Sequence, residues 1–153
     1  LANEHDTKCR RPVILQSNGQ ITDTDGHSKP GFAIDLNHDL FISIHHRNHL
    51  PVLSAASLSY NTGVYSYDFA TGAIQAYGGT DAQNEMSAGI WGMIAGDVNA
   101  DGIVDQSDKS LYWESEAGHS GYLKSDINLD GHSENRDKDE NWLPNLGSTS
   151  QLP

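Results

Sequence analysis

Residues 96–108, GDVNADGIVDQSD, concentrate acidic and amide side chains with no basic residue among them. These side chains are Asp97, Asn99, Asp101, Asp105 and Asp108. Carboxylates placed this close repel one another unless a cation lies between them. The stretch is therefore either a cation-binding loop or a solvated acidic loop, and the remaining sequence helps to decide between the two.

A second copy of the pattern lies 29 residues further along, where residues 125–137 read SDINLDGHSENRD. The same shift aligns Asp108-Lys109 with Asp137-Lys138, Trp113 with Trp142, and Gly118 with Gly147. The matches fall on the polar positions and skip the residues between them. This spacing indicates a duplicated unit with one chemical task.

Each copy fits the twelve-residue loop that binds calcium. Such a loop supplies oxygen ligands from positions 1, 3, 5, 7, 9 and 12, position 7 through its backbone carbonyl, and carries glycine at position 6. The sequence therefore predicts two calcium ions, and magnesium fits less well because it requires a tight octahedron. The predicted ligands are Asp97, Asn99, Asp101, Ile103, Asp105 and Asp108 in the first loop, and Asp126, Asn128, Asp130, His132, Glu134 and Asp137 in the second.

The residues after position 12 predict a short helix in each copy. KSLYWESEAG, residues 109–118, is expected to end at Gly118, and KDENWL, residues 138–143, is expected to be shorter because Pro144 stops it. Trp91, Trp113 and Trp142 are expected to pack under the loops rather than form a sugar-binding platform. Without metal, carboxylate repulsion should leave this half loose or unfolded.

The first part of the chain predicts short strands and tight turns. Asn18-Gly19 between apolar runs indicates a hairpin, and LFISIHHR, residues 40–47, alternates as a strand does. Further strands are predicted in VLSAASLSY (52–60), GVYSYDFAT (63–71) and GAIQAYGG (72–79). The expected fold is mostly β with a small α and loop part: an antiparallel β-sandwich over residues 1–90, then a duplicated EF-hand-like calcium-loop module over 91–153.

Composition narrows the class of protein. Net charge is −12, and residues 97–140 hold 12 acids against four bases, so nucleic-acid binding is excluded because phosphates require a basic face. Cys9 is the single cysteine, so no internal disulfide is expected. No apolar run approaches the ~20 residues that span a bilayer. Leu1 in place of an initiator methionine is interpreted as the start of a processed or excised chain.

The two loops resemble the paired D-x-N-x-D-G segments of bacterial dockerin modules, including aspartate at position 12. The wider chain, from about Val13 to Gly147, is similar to a β-module followed by a dockerin-like module at the C-terminal ends of large secreted bacterial proteins. The resemblance implies a calcium-folded helix-loop unit that docks onto a cohesin-like protein partner. It also implies an extracellular or cell-surface location.

Other candidate sites have simpler interpretations. HHRNH, residues 45–49, suggests a transition-metal site in which His45 and His49 converge, but a strand end with hydrogen-bonded histidines is the preferred interpretation. Asp35, Asn37 and Asp39 imitate the first half of a calcium loop, yet a turn is preferred because position 6 is not glycine. No nucleophile motif or phosphate-binding loop is present, so the chain is not expected to be an enzyme.

The expected function is a calcium-stabilised interaction or structural module of a secreted protein. One alternative is a protomer of an extracellular filament, a homopolymer in which an arm such as residues 1–16 adds a strand to the sheet of the next copy. A weaker alternative is a carbohydrate-binding β-sandwich.

Overall fold

The structure is a computed structural model that describes residues 9–33 and 39–153. The chain divides into two compact units, Leu1–Asp39 with Pro153, and Leu40–Leu152. Residues 1–8 of the proposed exchange arm, and most of the stretch with Asp35 and Asn37, lie outside the described residues. Cys9 is an exposed free thiol.

The first unit contains the hairpin that Asn18-Gly19 predicts. Strand β1 (Ile14–Leu15) pairs antiparallel with β2 (Ile21–Thr22). Gly19 adopts a φ of 82°, and its N–H donates to the Gln16 carbonyl at 2.9 Å. Glycine suits this position because it has no Cβ and therefore adopts the left-handed conformation without a steric clash.

Three more antiparallel hairpins lie in the second unit. In the one joined at Thr62-Gly63, both turn residues have positive φ, 45° and 86°, as a tight hairpin turn requires. The pairs are β3 (Ser43–Ile44) with β4 (Val52–Leu53), β5 (Ser59–Asn61) with β6 (Val64–Ser66), and β7 (Gln83–Ser87) with β8 (Ile90–Met93).

Small antiparallel strand pairs with few short helices are compatible with the mostly-β class that the sequence predicts. The described strands are two to five residues long and form four separate two-stranded sheets. The β-sandwich stays a prediction, as does a boundary at residue 90. The unit that begins at Leu40 contains three of the hairpins together with the two acidic loops.

Two strand predictions were wrong in detail. Residues 72–79 contain the 3₁₀ turn Ala73–Gln75 and the start of another, Gly79–Asp81, in place of a strand. Gly78 and Gly79 take φ values of 96° and 62°, which interrupt an extended backbone. The alternating stretch 40–47 is strand only at Ser43–Ile44, so its alternation ends before the histidines.

Helical structure includes position 12 of each loop and continues beyond it, where the sequence predicts a helix. The first segment, residues 106–116, runs through Gln106–Asp108, the π-helical Lys109–Trp113 and Glu114–Glu116, and Gly118 follows it with a φ of 87°. The second is the shorter π-helical Asp137–Trp142. Pro144 does not stop it, because the chain continues as the 3₁₀ turn Leu143–Asn145, where proline occupies a tolerated early position. None of the helices in the described ranges has the length and apolar character that a membrane crossing requires.

The hydrophobic core of the second unit joins the hairpins to the acidic loops. Leu50 and Ile94 come from the hairpin side, whereas Val98 and Ile127 occupy position 2 of the two loops. All four are at most 3% exposed. Because apolar burial is the main stabilising term of folding, the loops depend on the hairpin side for part of their stability.

Asn48 fixes the β3–β4 connection to the loop module. It is fully buried, and its Nδ2 donates to the carbonyls of Lys124 and Asp126 at 2.8 and 2.7 Å. The backbone carbonyl of Asn48 accepts from the Gly96 N–H at 2.9 Å. One residue thus holds both segments that lead into the loops.

We expect Asn48→Ala to lower the free energy of unfolding by about 1–3 kcal/mol, because two buried carbonyls lose their donor. Urea unfolding followed by circular dichroism measures this change. The matched control is Asn135→Ala, since Asn135 is exposed. Equal unfolding midpoints for the two variants would contradict the anchoring role.

Candidate metal centre

The two acidic loops have the same backbone conformation. Loop one is residues 97–108 and loop two is residues 126–137. Position 4 has a positive φ in both, 62° at Ala100 and 64° at Leu129. Position 6 is also left-handed, at 85° in Gly102 and 90° in Gly131. Two non-glycine residues in this sparsely populated region indicate that the rest of each loop holds the turn in place.

The aspartate at position 12 ties each loop together. Asp108 Oδ1 accepts from the N–H groups of Val98 and Asn99 at 2.8 and 3.0 Å, and Oδ2 accepts from the Asp105 N–H at 2.8 Å. Asp137 accepts the same three bonds at the equivalent positions of loop two, at 2.7, 3.0 and 2.8 Å. Both aspartates are fully buried. Position 12 is therefore a structural centre of each loop.

The aspartate at position 1 is buried in both loops but bonded differently. Asp97 accepts from the N–H groups of Asp101 and Gly102 at 3.0 and 3.2 Å. Asp126 accepts only from the Gly131 N–H, at 3.2 Å, among the loop-two amides. Its Oδ1 is buried and has no hydrogen-bond partner in the described structure. A buried carboxylate oxygen without a donor is costly, so this oxygen suits a cationic ligand.

The position-7 carbonyls are free of hydrogen bonds from the described residues. In loop one, the Gly102 and Val104 carbonyls accept from Ser150 and Gly147, whereas the Ile103 carbonyl between them accepts none. In loop two, the carbonyl of His132 is likewise without a donor among the residues described. These two oxygens are the predicted position-7 ligands, and they remain available for a metal ion.

Loop one carries electrostatic repulsion. Burial raises the pKa of the Asp97 carboxyl to about 6, the bond from Gly102 opposes the rise, and the charges of Asp108 and Asp101 add to it. Burial also raises the pKa of Asp108, although three backbone N–H groups lower it and Asp101 raises it. Both shifts mean that the ionised carboxylates are disfavoured in the loop.

The twelve predicted ligands differ in exposure. Asp97, Asp108, Asp126 and Asp137 are buried, Asn99, Asp105 and Asn128 are half-buried, and Asp101, Ile103, Asp130, His132 and Glu134 are exposed. Within residues 9–33 and 39–153, no group of three or more histidine, cysteine, aspartate or glutamate side chains is arranged to hold a metal ion. Several exposed side chains instead bond the loop backbone. The Asp101 and Asp130 carboxylates, for example, each accept from the N–H two residues on at 3.0 Å.

Each loop pairs with the segment that follows the helix of the other copy. Ile103 forms an antiparallel bridge with Thr149, and His132 forms one with Ser120. The 29-residue shift converts one bridge into the other, so the two copies exchange equivalent segments. The repeat also aligns the residues of the two bridges, but nothing in the loop motif signals that the segments are exchanged.

The two tryptophans make the same exchange. The Trp113 indole N–H donates to the Glu134 carbonyl, and that of Trp142 donates to the Asp105 carbonyl, both at 3.0 Å. Each tryptophan of one copy thus bonds position 9 of the other copy's loop. Packing against the loops is confirmed for Trp113 and Trp142, with the loops exchanged, whereas Trp91 lies in strand β8 opposite Glu85.

The histidine pair differs from the prediction. His46, rather than His45, meets His49, with their Nδ1 atoms 3.0 Å apart. The strand ends at Ile44, so the alternation expected over residues 40–47 does not extend to His45 and His46. Burial lowers the pKa of both rings, that of His49 to about 3, so the pair is neutral at physiological pH. The preferred interpretation of hydrogen-bonded histidines is confirmed.

A residue from outside the repeat also reaches loop two. Arg47 Nη2 lies 3.2 Å from Asp126 Oδ2. Nothing in the loop motif signals this contact, because Arg47 is 79 residues from Asp126 in the chain.

Comparisons with protein-family models, curated proteins and solved structures found no match to this chain.

In calcium-free buffer, the stability of the wild-type protein should fall relative to Asp97→Asn as the pH rises from about 4 to about 7. The folded-state pKa of Asp97, about 6, exceeds the ordinary 3.8, so the folded protein binds the proton more tightly than the unfolded chain. The destabilisation caused by the ionised Asp97 carboxylate is thus fully present above about pH 6 and is relieved as the pH falls toward 3.8. Urea unfolding at both pH values measures the difference, with the exposed Asp139→Asn as the control. A pH-independent difference between wild type and Asp97→Asn would contradict the assignment.

Trp142→Phe should destabilise the protein more than Trp113→Phe. Each change removes one indole donor, worth about 1 kcal/mol, but Trp142 is 5% exposed and belongs to the core, whereas Trp113 is only half-buried. Urea unfolding followed by far-UV circular dichroism compares the pair directly. The opposite order would show that the contribution of each tryptophan to stability does not follow its burial.

Proposed function

We propose that the chain is a calcium-stabilised, non-catalytic interaction and structural module of a secreted bacterial surface protein. Loop one and loop two each hold one calcium ion in this proposal. The observation that carries it is repeated in both loops: two buried aspartates accompany a position-7 carbonyl that accepts no hydrogen bond in the described structure. A merely solvated acidic loop has no reason to bury its carboxylates twice at equivalent positions.

The donor chemistry favours calcium. The predicted ligands of each loop are carboxylate, amide and carbonyl oxygens, which are the hard ligands that calcium takes. Thiols are absent from both loops, and the one ring-bearing residue, His132, contributes its backbone carbonyl. Binding would bring the half-buried and exposed side chains of positions 3, 5 and 9 toward the two buried aspartates.

Calcium acts in this proposal as a stabiliser of the fold. The paired loops share a core with the β3–β4 side through Leu50 and Ile94, so neutralising the loop carboxylates stabilises more than the loops themselves. An extracellular location supplies calcium continuously, which suits a stabilising ion. The surface so ordered would be presented to a protein partner, either a cohesin-like module or another copy of this chain.

Calorimetric calcium titration of the full chain, with thermal unfolding in calcium and in EDTA, tests the proposal. We expect two ions bound and a melting temperature about 10 °C higher in saturating calcium, because a ligand that binds only the folded state stabilises it. The absence of binding heat together with identical melting curves would rule out calcium as the ligand.

Variants assign the ions to loops. Asp108→Asn and Asp137→Asn should each lose one of the two bound ions, because each removes the charge of a buried position-12 carboxylate. Asp139→Asn removes the same charge from an exposed side chain two residues beyond position 12, and it should retain both ions. Retention of both ions by all three variants would show that calcium binds elsewhere.

A further inference from the structure

Arg47 is a half-buried cation placed against loop two. Its side chain is 15% exposed, and that of Asp126, at position 1 of loop two, is 4% exposed. Arg47 Nη2 donates to Asp126 Oδ2 at 3.2 Å, and the guanidinium carbon lies 3.8 Å from the centre of the Tyr122 ring. The loop carboxylate thus already has a positive partner supplied by the protein.

The contact between Arg47 and Asp126 is incomplete as an ion pair. Nε and Nη1 of Arg47, and Oδ1 of Asp126, are buried without a hydrogen-bond partner among the described residues. A bidentate arginine–carboxylate pair would have used two of these three atoms. Arg47 therefore neutralises Asp126 while leaving one carboxylate oxygen unbonded.

Loop one has no such cation in the part of the chain that is described. None of the ion pairs found there involves Asp97. The charges that act on Asp97 are those of Asp108 and Asp101, which are both negative. Two loops with nearly identical backbones consequently differ in the charges that surround the position-1 aspartate.

We propose that Arg47 is a specificity-determining residue that lowers the calcium affinity of loop two below that of loop one; this inference rests on the proposed function. A divalent ion entering loop two meets the half-buried positive charge of Arg47 and competes with it for Asp126. In loop one the ion relieves repulsion between carboxylates and meets no opposing charge. Ligand charge is one of the main determinants of affinity in such loops.

The two ions therefore bind in order. Loop one fills first, and loop two fills at higher calcium concentration as Arg47 gives up its contact with Asp126. Arg47 lies beside Asn48, which bonds the carbonyls of Lys124 and Asp126. Filling of loop two thus displaces a side chain of the β3–β4 connection, whereas filling of loop one does not act on Arg47.

The test is a calcium titration of the full chain by two-dimensional NMR that follows the amide signals of Gly102 and Gly131. Each amide donates to the position-1 aspartate of its own loop, at 3.2 Å in both, so each signal reports one loop. In wild type we expect the Gly131 midpoint at about tenfold higher calcium than the Gly102 midpoint. Equal midpoints, or loop two filling first, would overturn the proposal without any variant.

Arg47→Met removes the charge and keeps an unbranched apolar side chain, and Arg47→Lys keeps the charge. We expect Arg47→Met to lower the Gly131 midpoint by about tenfold and to leave the Gly102 midpoint within about twofold, whereas Arg47→Lys stays close to wild type. A weaker loop two in Arg47→Met would mean that Arg47 positions Asp126 for the ion, and would overturn the proposal. The wild-type titration separates the two ideas: if neither glycine responds to calcium, the proposed function itself fails, and with it this inference.

Discussion

The buried aspartate at position 12 is the constraint on which the loop module depends. Three backbone N–H groups converge on Asp108, and three on Asp137, so each side chain fixes the second, third and ninth residues of its loop. In loop one these bonds do not fully offset burial, because the pKa of Asp108 is still raised. The loop conformation is thus well defined in geometry and unfavourable in charge.

The hairpin side of the second unit takes part in the same balance. Leu50 and Ile94 pack with Val98 and Ile127, and Asn48 bonds the segments that lead into both loops. Burial of apolar surface and of hydrogen-bonded amides holds the loops where carboxylate repulsion would separate them. The hairpin side and the acidic loops therefore depend on each other for stability.

The local features could be predicted from the sequence. Asn18-Gly19, the two acidic loops and the helix end at Gly118 follow from short patterns, because turn and loop chemistry is set by adjacent residues. The strand predicted at residues 72–79 failed because its glycines take left-handed conformations that interrupt an extended chain. The exchange of segments between the copies and the contact of Arg47 with Asp126 could not be predicted, since both join residues far apart in the chain.

The exchanged pairing has a consequence for how such a unit is assembled. Loop one is completed by residues 147–150 of the second copy, and loop two by residues 118–121 of the first. A single copy, cut at its natural repeat boundary, would carry a loop without the segment that pairs with it. On this geometry one copy is complete only when it meets a second, as in a domain-swapped dimer. The covalent link between the copies makes that encounter intramolecular, and so frees it from any dependence on protein concentration.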